Sequence, residues 1–333
     1  MSSCRRMHVC IAISILLTVG GCGRKNPGGN LVRIAVTGRA AAAYLPLFVA
    51  GPAGCMNREG IQMQLEETGG SPKSLEALMG GSVDVAALAY LDLLNVAANG
   101  QPVRGFVLMT KLPGFAAIVS PKASAPIHKI EDLRGRTIGL TAPGSGYHLV
   151  LNYVLRRHGV KPEEVSVVGV GNGPSIAAAL ERGVVDIGLG AGLTIGYLER
   201  RHPDLTYVFD TRTAASTKAV LDTEEVANSL LCARASWLGA QPQTARKLAS
   251  AMQCALTWVQ DHSAQQIRKV LPDSSLTPDA ETDYNWITAA KSTLAVDGRM
   301  TAEAHASAVR ILGSAESAKL KQEELFTNEF LRP

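Results

Sequence analysis

The sequence predicts an α/β protein built as two similar lobes with a cleft between them, and two observations carry that prediction. Short apolar runs with the composition of strands alternate with helical patterns from residue 31 onward. In addition, PKSLEALMGGSVD at 72–84 returns as PSIAAALERGVVD at 174–186, with Pro, Ala-Leu, Gly and Val-Asp in register. Proline suits the first turn of a helix, glycine the left-handed stop after it, and Val-Asp opens the next strand. Each copy therefore reads as helix, turn and strand. Two such copies far apart in the chain imply two related units rather than one long sheet.

In chain order, strands are expected at Leu31 to Val36, Ile61 to Leu65, Val83 to Ala89 and Val103 to Met109. A second series follows at Arg136 to Leu140, Val165 to Val170 and Val184 to Leu189. Asp84 and Asp186 stand where strands begin, opposite the end where open sheets bind ligands, so they are expected to pair locally and not to act as catalytic carboxylates. From Gln241 to Phe330 helical patterns dominate. Leu248, Met252, Ala255 and Val259 share one face there, and Trp258 and Trp286 are expected to pack and not to stack on a ligand.

Ahead of the folded body, Arg5 and Arg6 precede an apolar run from Val9 to Val19 that ends at Gly20 and Gly21, the pattern of a signal segment. The run is short for a permanent bilayer span, which takes about 20 apolar residues. Thr18-Val19-Gly20-Gly21-Cys22 resembles a bacterial lipobox, in which Cys22 would carry the lipid, with plain secretion after cleavage as the alternative. Residues 1–22 thus read as the signal, and the Gly- and Asn-rich stretch 23–30 as a flexible tether.

Hydrophobic residues make up 46% of the chain and charged residues 19%, with a formal net charge of +4. That charge is mild and dispersed, which excludes the basic stripe of a nucleic-acid binder. Of six cysteines, only Cys55, Cys232 and Cys254 belong to the body. Cys232 and Cys254, the nearer pair, could form one bridge in an oxidising compartment, or all could be buried free thiols. No paired Cys/His spacing points to a metal, and no Gly-rich string fits a nucleotide loop, so neither metal nor cofactor is expected.

Ligands of open α/β sheets lie beyond the carboxyl ends of strands, at helix N-termini that attract anions. After the strand ending near Leu140 come Gly144, Ser145, Gly146 and Tyr147, offering backbone donors and a hydroxyl, with Ser145 placed to cap the helix. Asn172 lies in the loop after the strand ending near Val170, and Ala191 in Gly190-Ala191-Gly192 after the strand ending at Leu189. Arg39 and Tyr44 follow the opening strand; Tyr90 follows the third. Ser145 and His148 as nucleophile and base lack an orienting acid, so no catalytic residue is expected.

The stretches LRGRTIGLTAPGSGYHLVLNYVLRRHGV and VSVVGVGNGPSIAAALERGVVDIG strongly resemble the nitrate, sulfonate, taurine and thiamine-pyrimidine binding proteins of ABC importers. So do the opening Tyr44-Leu45-Pro46-Leu47-Phe48-Val49-Ala50 and the segment Leu294 to Leu312, and the resemblance spans most of the chain. It implies a type II periplasmic-binding fold: residues 31–116 and 212–333 form lobe one and 117–211 lobe two, with crossings near Ala116 and Thr211. It also implies a lipid-anchored clamp on the outer face of the membrane that takes a small organic, anionic ligand to a permease and ATPase complex. Relatives of the fold include thiamine-pyrimidine synthases, and a solute sensor feeding a receptor would use the same clamp. Small residues at Gly190-Ala191-Gly192 and the alanine-rich opening loop lead us to expect a wider pocket than is usual for the family.

Overall fold

The computed structural model describes residues 31–38, 42–171 and 173–333. Strands β1 (Leu31–Val36), β2 (Gln62–Glu67), β3 (Val85–Ala89) and β4 (Val103–Leu108) alternate with helices α1 (Leu45–Ala50), α2 (Cys55–Arg58), α3 (Ser71–Gly80) and α4 (Tyr90–Ala98). A second series follows: β5 (Phe115–Val119), β6 (Thr137–Leu140), β7 (Ser166–Gly169), β8 (Ile187–Ala191) and β9 (Tyr207–Asp210), with α5 (Gly146–Arg157), α6 (Pro174–Arg182) and α7 (Leu193–Arg201). After α8 (Ala214–Leu221) comes β10 (Ser229–Arg234). The chain then runs through α9 (Ala235–Ala240), α10 (Pro242–Asp261), α11 (Ala264–Val270), α12 (Ala280–Lys291), α13 (Ala302–Leu312) and α14 (Gln322–Leu325).

Two five-stranded sheets result, ordered β2-β1-β3-β10-β4 and β7-β6-β8-β5-β9. They share one plan. Three parallel strands lie side by side, and the fourth position is taken by an antiparallel strand, β10 in one sheet and β5 in the other. The chain leaves the first sheet after Leu108, enters the second at Phe115, leaves it at Asp210 and returns at Ser229. The boundary expected at Ala116 falls inside β5, because Phe115 and Ala116 already pair with Ala191 and Gly190 of β8.

The repeated unit becomes α3 leading into β3 and α6 leading into β8. Both helices stop at a glycine in the left-handed region, Gly81 at φ 78° and Gly183 at φ 70°. There an L side chain would be strained. The aspartates that follow do the same job twice. Asp84 donates its N–H to the Arg33 carbonyl at 3.0 Å, and its carboxylate accepts from the Arg33 N–H at 3.0 Å and from the Arg33 guanidinium at 3.1 and 3.2 Å. Asp186 donates its N–H to the Thr137 carbonyl and accepts the Thr137 N–H, each at 2.9 Å. Each aspartate thereby ties the start of one strand to its parallel neighbour, at the end of the sheet away from the cleft.

Along α10, Leu248, Met252, Ala255 and Val259 are fully buried, and the helix packs against α1 and α2 of the first lobe. That packing explains a departure from the expected cysteine pairing. Cys55 of α2 is bridged to Cys254 of α10 with Cα atoms 5.8 Å apart, while Cys232 is a free thiol in the core strand β10. Nearness in sequence was the wrong guide: the bridged residues lie 199 positions apart and are brought together only by helix packing. Burial pushes the Cys232 thiol up to about 12, so it stays protonated and inert.

Candidate functional site

The carboxyl ends of both sheets face each other, and the lobes meet through small residues. A Cβ added at Gly192 would lie 2.7 Å from the Ala42 Cβ, and one added at Gly146 would lie 3.1 Å from the Ala89 Cβ. One at Gly196 in α7 would come within 3.3 Å of Thr282 in α12. At Gly192 a Cβ would force the neighbour to shift, and at Gly146 and Gly196 the neighbour would have to give by a few tenths of an ångström. The small residues therefore bring the lobes together at these points.

Between the lobes lie two adjoining compartments of about 70 and 100 Å³, which share Ala43, Pro113, Tyr147 and Asn228 in their walls. The smaller adds Gly173, Ala191, Gly192, Thr194 and Arg212. The larger adds Thr37, Tyr44, Ser71, Asp92, Ser145 and Gly146. Tyr147 stands between them with its ring stacked on Phe115, centroids 4.3 Å apart. The N-terminal ends of α5, α6 and α7 open here, since Gly146, Gly173 and Gly192 are at or next to the first turns of these helices. The positive ends of three helix dipoles thus face the cleft, the one at α5 already serving Asp92 through the Gly146 N–H.

The expected site residues divide as follows. Tyr44, Ser145, Gly146, Tyr147 and Ala191 line the compartments. Gly144 stands at the outer rim, in a groove whose floor is shared with Ser71 and the buried Asp92, and its N–H donates to His148 Nδ1 at 2.8 Å. Tyr90 is fully buried away from the compartments, its hydroxyl 2.7 Å from His305 Nδ1. Arg39, Asn172 and Cys22 lie outside the described residues. Trp286 is buried with its indole N–H on Asp283, and Trp258 stacks on His262, both away from the cleft.

Ser145 differs from its expected role. It holds the N-cap position of α5, yet its hydroxyl makes no capping bond; Oγ is buried with no partner among the described residues. Its carbonyl already accepts the Leu149 N–H at 3.0 Å, so the helix starts without help from the hydroxyl. His148 faces its own loop through Gly144 and makes no bond to Ser145, so no nucleophile and base are assembled.

Three wall residues were not among the sequence candidates. Asn228 donates to Thr110 Oγ1 at 3.1 Å and to the Pro113 carbonyl at 3.3 Å, pinning the crossing segment. Arg212 is held by Asp210 at 2.7 Å and Glu199 at 3.1 Å and lies over the Tyr207 ring. The sequence signal was there: Asp210-Thr211-Arg212 ends a strand, but β9 was not recognised. The third is Asp92, in the first turn of α4 and 6% exposed. Burial pushes its carboxyl up to about 6, against the opposing pull of the Ser71 hydroxyl and the Gly146 N–H. Among the described residues no group of three His, Cys, Asp or Glu could hold a metal, and no helix is long and apolar enough to cross a membrane.

Known proteins share this architecture. A solved structure from Bordetella bronchiseptica RB50 superposes with a TM-score of 0.83 at 32% identity, over 90% of this chain and 95% of its own. The periplasmic aliphatic sulphonate binding protein of Escherichia coli superposes at 0.64 with 17% identity, over 85% and 90%, a likeness of fold alone. In sequence, the Bacillus subtilis (strain 168) protein YtlA is 25% identical over 235 residues, 69% of this chain and 66% of its own. A 4-amino-5-hydroxymethyl-2-methylpyrimidine phosphate synthase of Schizosaccharomyces pombe (strain 972 / ATCC 24843) is 28% identical over 162 residues, 48% of this chain and 45% of its own. The chain spans about two thirds or less of the length of these two relatives. The model of the NMT1/THI5 like family matches residues 42–266, most of the two-lobed body. With that match on a fold shared with periplasmic binding proteins, the chain belongs to the NMT1/THI5-like family.

Proposed function

We propose that the protein is an extracytoplasmic solute-binding protein that closes on a small organic anion and delivers it to an ABC permease and ATPase complex. The observation that carries this reading is the closed cleft: two compartments between lobes, with three helix N-termini at their wall. Tyr44, Ser145, Gly146, Tyr147 and Ala191 are the proposed contacts. The lobes hinge in the crossing segments 109–114 and 211–228, and closure lets a transporter tell loaded from empty protein. Lipid on Cys22 holds the protein to the membrane; the arginine pair, apolar run and lipobox-like string at 18–22 support that part.

The synthase relatives favour a second reading, an enzyme of the same fold. The unconnected Ser145 and His148 and the signal segment weigh against it.

Thermal unfolding of the full chain in a mild detergent, with nitrate, alkanesulfonates, small carboxylates and pyrimidines, tests the binding reading. A ligand at a hundred times its Kd adds about 2.7 kcal/mol, so one class is expected to raise Tm by several degrees. No shift with any class, on folded protein, would sink it. For the anchor, Cys22→Ser is expected to move the protein out of the membrane fraction; unchanged partitioning would rule out lipid at that residue.

A further inference from the structure

Two buried polar atoms in the larger compartment have no hydrogen-bond partner among the described residues: Asp92 Oδ2 and Ser145 Oγ. They come from different lobes, α4 and the start of α5, and line the same cavity. Leaving a buried carboxylate oxygen unpaired is costly, and a site that tolerates this is normally completed by something that binds there. The charge required of that something follows from the surroundings. Ser71 and the Gly146 N–H already serve the carboxylate and are neutral. Arg212, the described cation in the cleft walls, faces the other compartment and is neutralised by Asp210 and Glu199. The nearby Tyr44 and Cys232 hold their protons, both raised by burial. Among the described residues Asp92 thus has no cationic partner, only Ser71 and the Gly146 N–H, while the smaller compartment presents the ends of α6 and α7. A ligand spanning both would put an acidic group on the helix ends and a protonated nitrogen on Asp92.

Resting on the proposed binding function, we infer that the ligand is a small zwitterion or amino-substituted acid. Asp92 is the specificity-determining counter-ion for its nitrogen, and Ser145 Oγ accepts a second N–H from the same group. This geometry rejects the plain acid. Without the nitrogen, a bound acid leaves Asp92 Oδ2 unpaired inside a closed cleft, and a site built to pair a polar group discriminates strongly against an analogue that lacks it.

The test uses acids that differ only in the amine: taurine against ethanesulfonate, β-alanine against propanoate, and 3-aminopropanesulfonate against propanesulfonate. Each is titrated calorimetrically into the full chain and into Asp92→Asn, which keeps the side-chain volume. In the wild type the amino member of at least one pair is expected to bind about tenfold tighter or more than its partner, and Asp92→Asn to narrow that gap to about threefold or less. The wild-type comparison stands by itself if the variant does not fold. A plain acid binding as tightly as its amino partner, or a preference that survives Asp92→Asn, overturns the inference and leaves the binding function intact. Silence from all six compounds overturns both for acids of this size.

Discussion

Asp92 is the residue at which the needs of the fold and those of the site diverge. Its ordinary carboxyl value of 3.8 is raised to about 6 in the folded protein, chiefly because burial penalises the charged form. The native state therefore holds its proton where the unfolded chain has lost it. A raised acid makes folding less favourable as pH climbs from about 4 through about 6, with a constant cost above that. Two pKa units correspond to about 3 kcal/mol, an order-of-magnitude figure for what this residue takes from the empty protein at neutral pH. Tyr44 and Cys232, its titratable neighbours, stay neutral throughout this range and do not mask the effect. Asp92→Asn is accordingly expected to be more stable than the parent at pH 7.5, with the difference shrinking toward zero near pH 4. Chemical denaturation of both proteins across that range measures it, and a difference that does not vary with pH would show that Asp92 is solvated. Such a residue was hard to find from sequence. Asp92 follows the third strand in plain sight, but an acidic residue in the first turn of a helix is ordinarily a favourable partner of the dipole. In the fold Ser71 of its own lobe and Gly146 of the opposing lobe both close on it. Ser145 departs from expectation for a related reason: its position is that of a cap, but its hydroxyl is buried at the compartment wall and makes no capping bond.

Elements with local causes were the legible ones. The repeated helix, glycine and strand announces its own stops through Gly81 and Gly183 and its own staples through Asp84 and Asp186, all within a few residues of chain. β5, β9 and β10 were missed because they lack such punctuation. Phe115–Val119 is a short apolar run buried between two antiparallel neighbours, which periodicity cannot separate from a piece of buried helix. Missing it also displaced the expected crossing at Ala116. The disulfide belongs to this scale, since it joins the four-residue α2 to the long α10 and closes a loop between residues 199 positions apart. A bridge across so long a loop contributes about 2–5 kcal/mol, chiefly by restricting the unfolded chain. Cys55→Ser with Cys254→Ser is expected to lower stability by that amount while leaving the cleft intact, because the bridge lies on the side of lobe one away from the compartments. Comparing denaturant midpoints and ligand affinities of the double variant and its parent checks both halves. A loss of affinity without a loss of stability would contradict this placement.

At the scale of the whole molecule, the closed state is set by contacts too small for any sequence pattern to reveal. Gly146 against Ala89, Gly192 against Ala42 and Gly196 against Thr282 are three places where one lobe approaches the other too closely for a side chain to enter without a shift. These glycines do not all test closure equally well. Gly192 has φ at 47°, so any substitution there strains its own lobe before it touches the other. Gly146 is the better probe: it opens α5 in ordinary helical conformation, where alanine improves helix propensity and valine costs little at a first position. Gly146→Ala needs the Ala89 contact to give by a few tenths of an ångström, whereas Gly146→Val adds two methyl groups where the lobes already touch. If closure is the event that creates the binding site, affinity should fall in that order, with about a tenfold loss or more for valine as the competent population shrinks. Small-angle scattering should show the valine variant remaining extended at ligand concentrations that compact the parent, with unchanged helix content by circular dichroism. A valine variant that still compacts and binds like the parent would mean that the lobes meet by a different route from the one these glycines define.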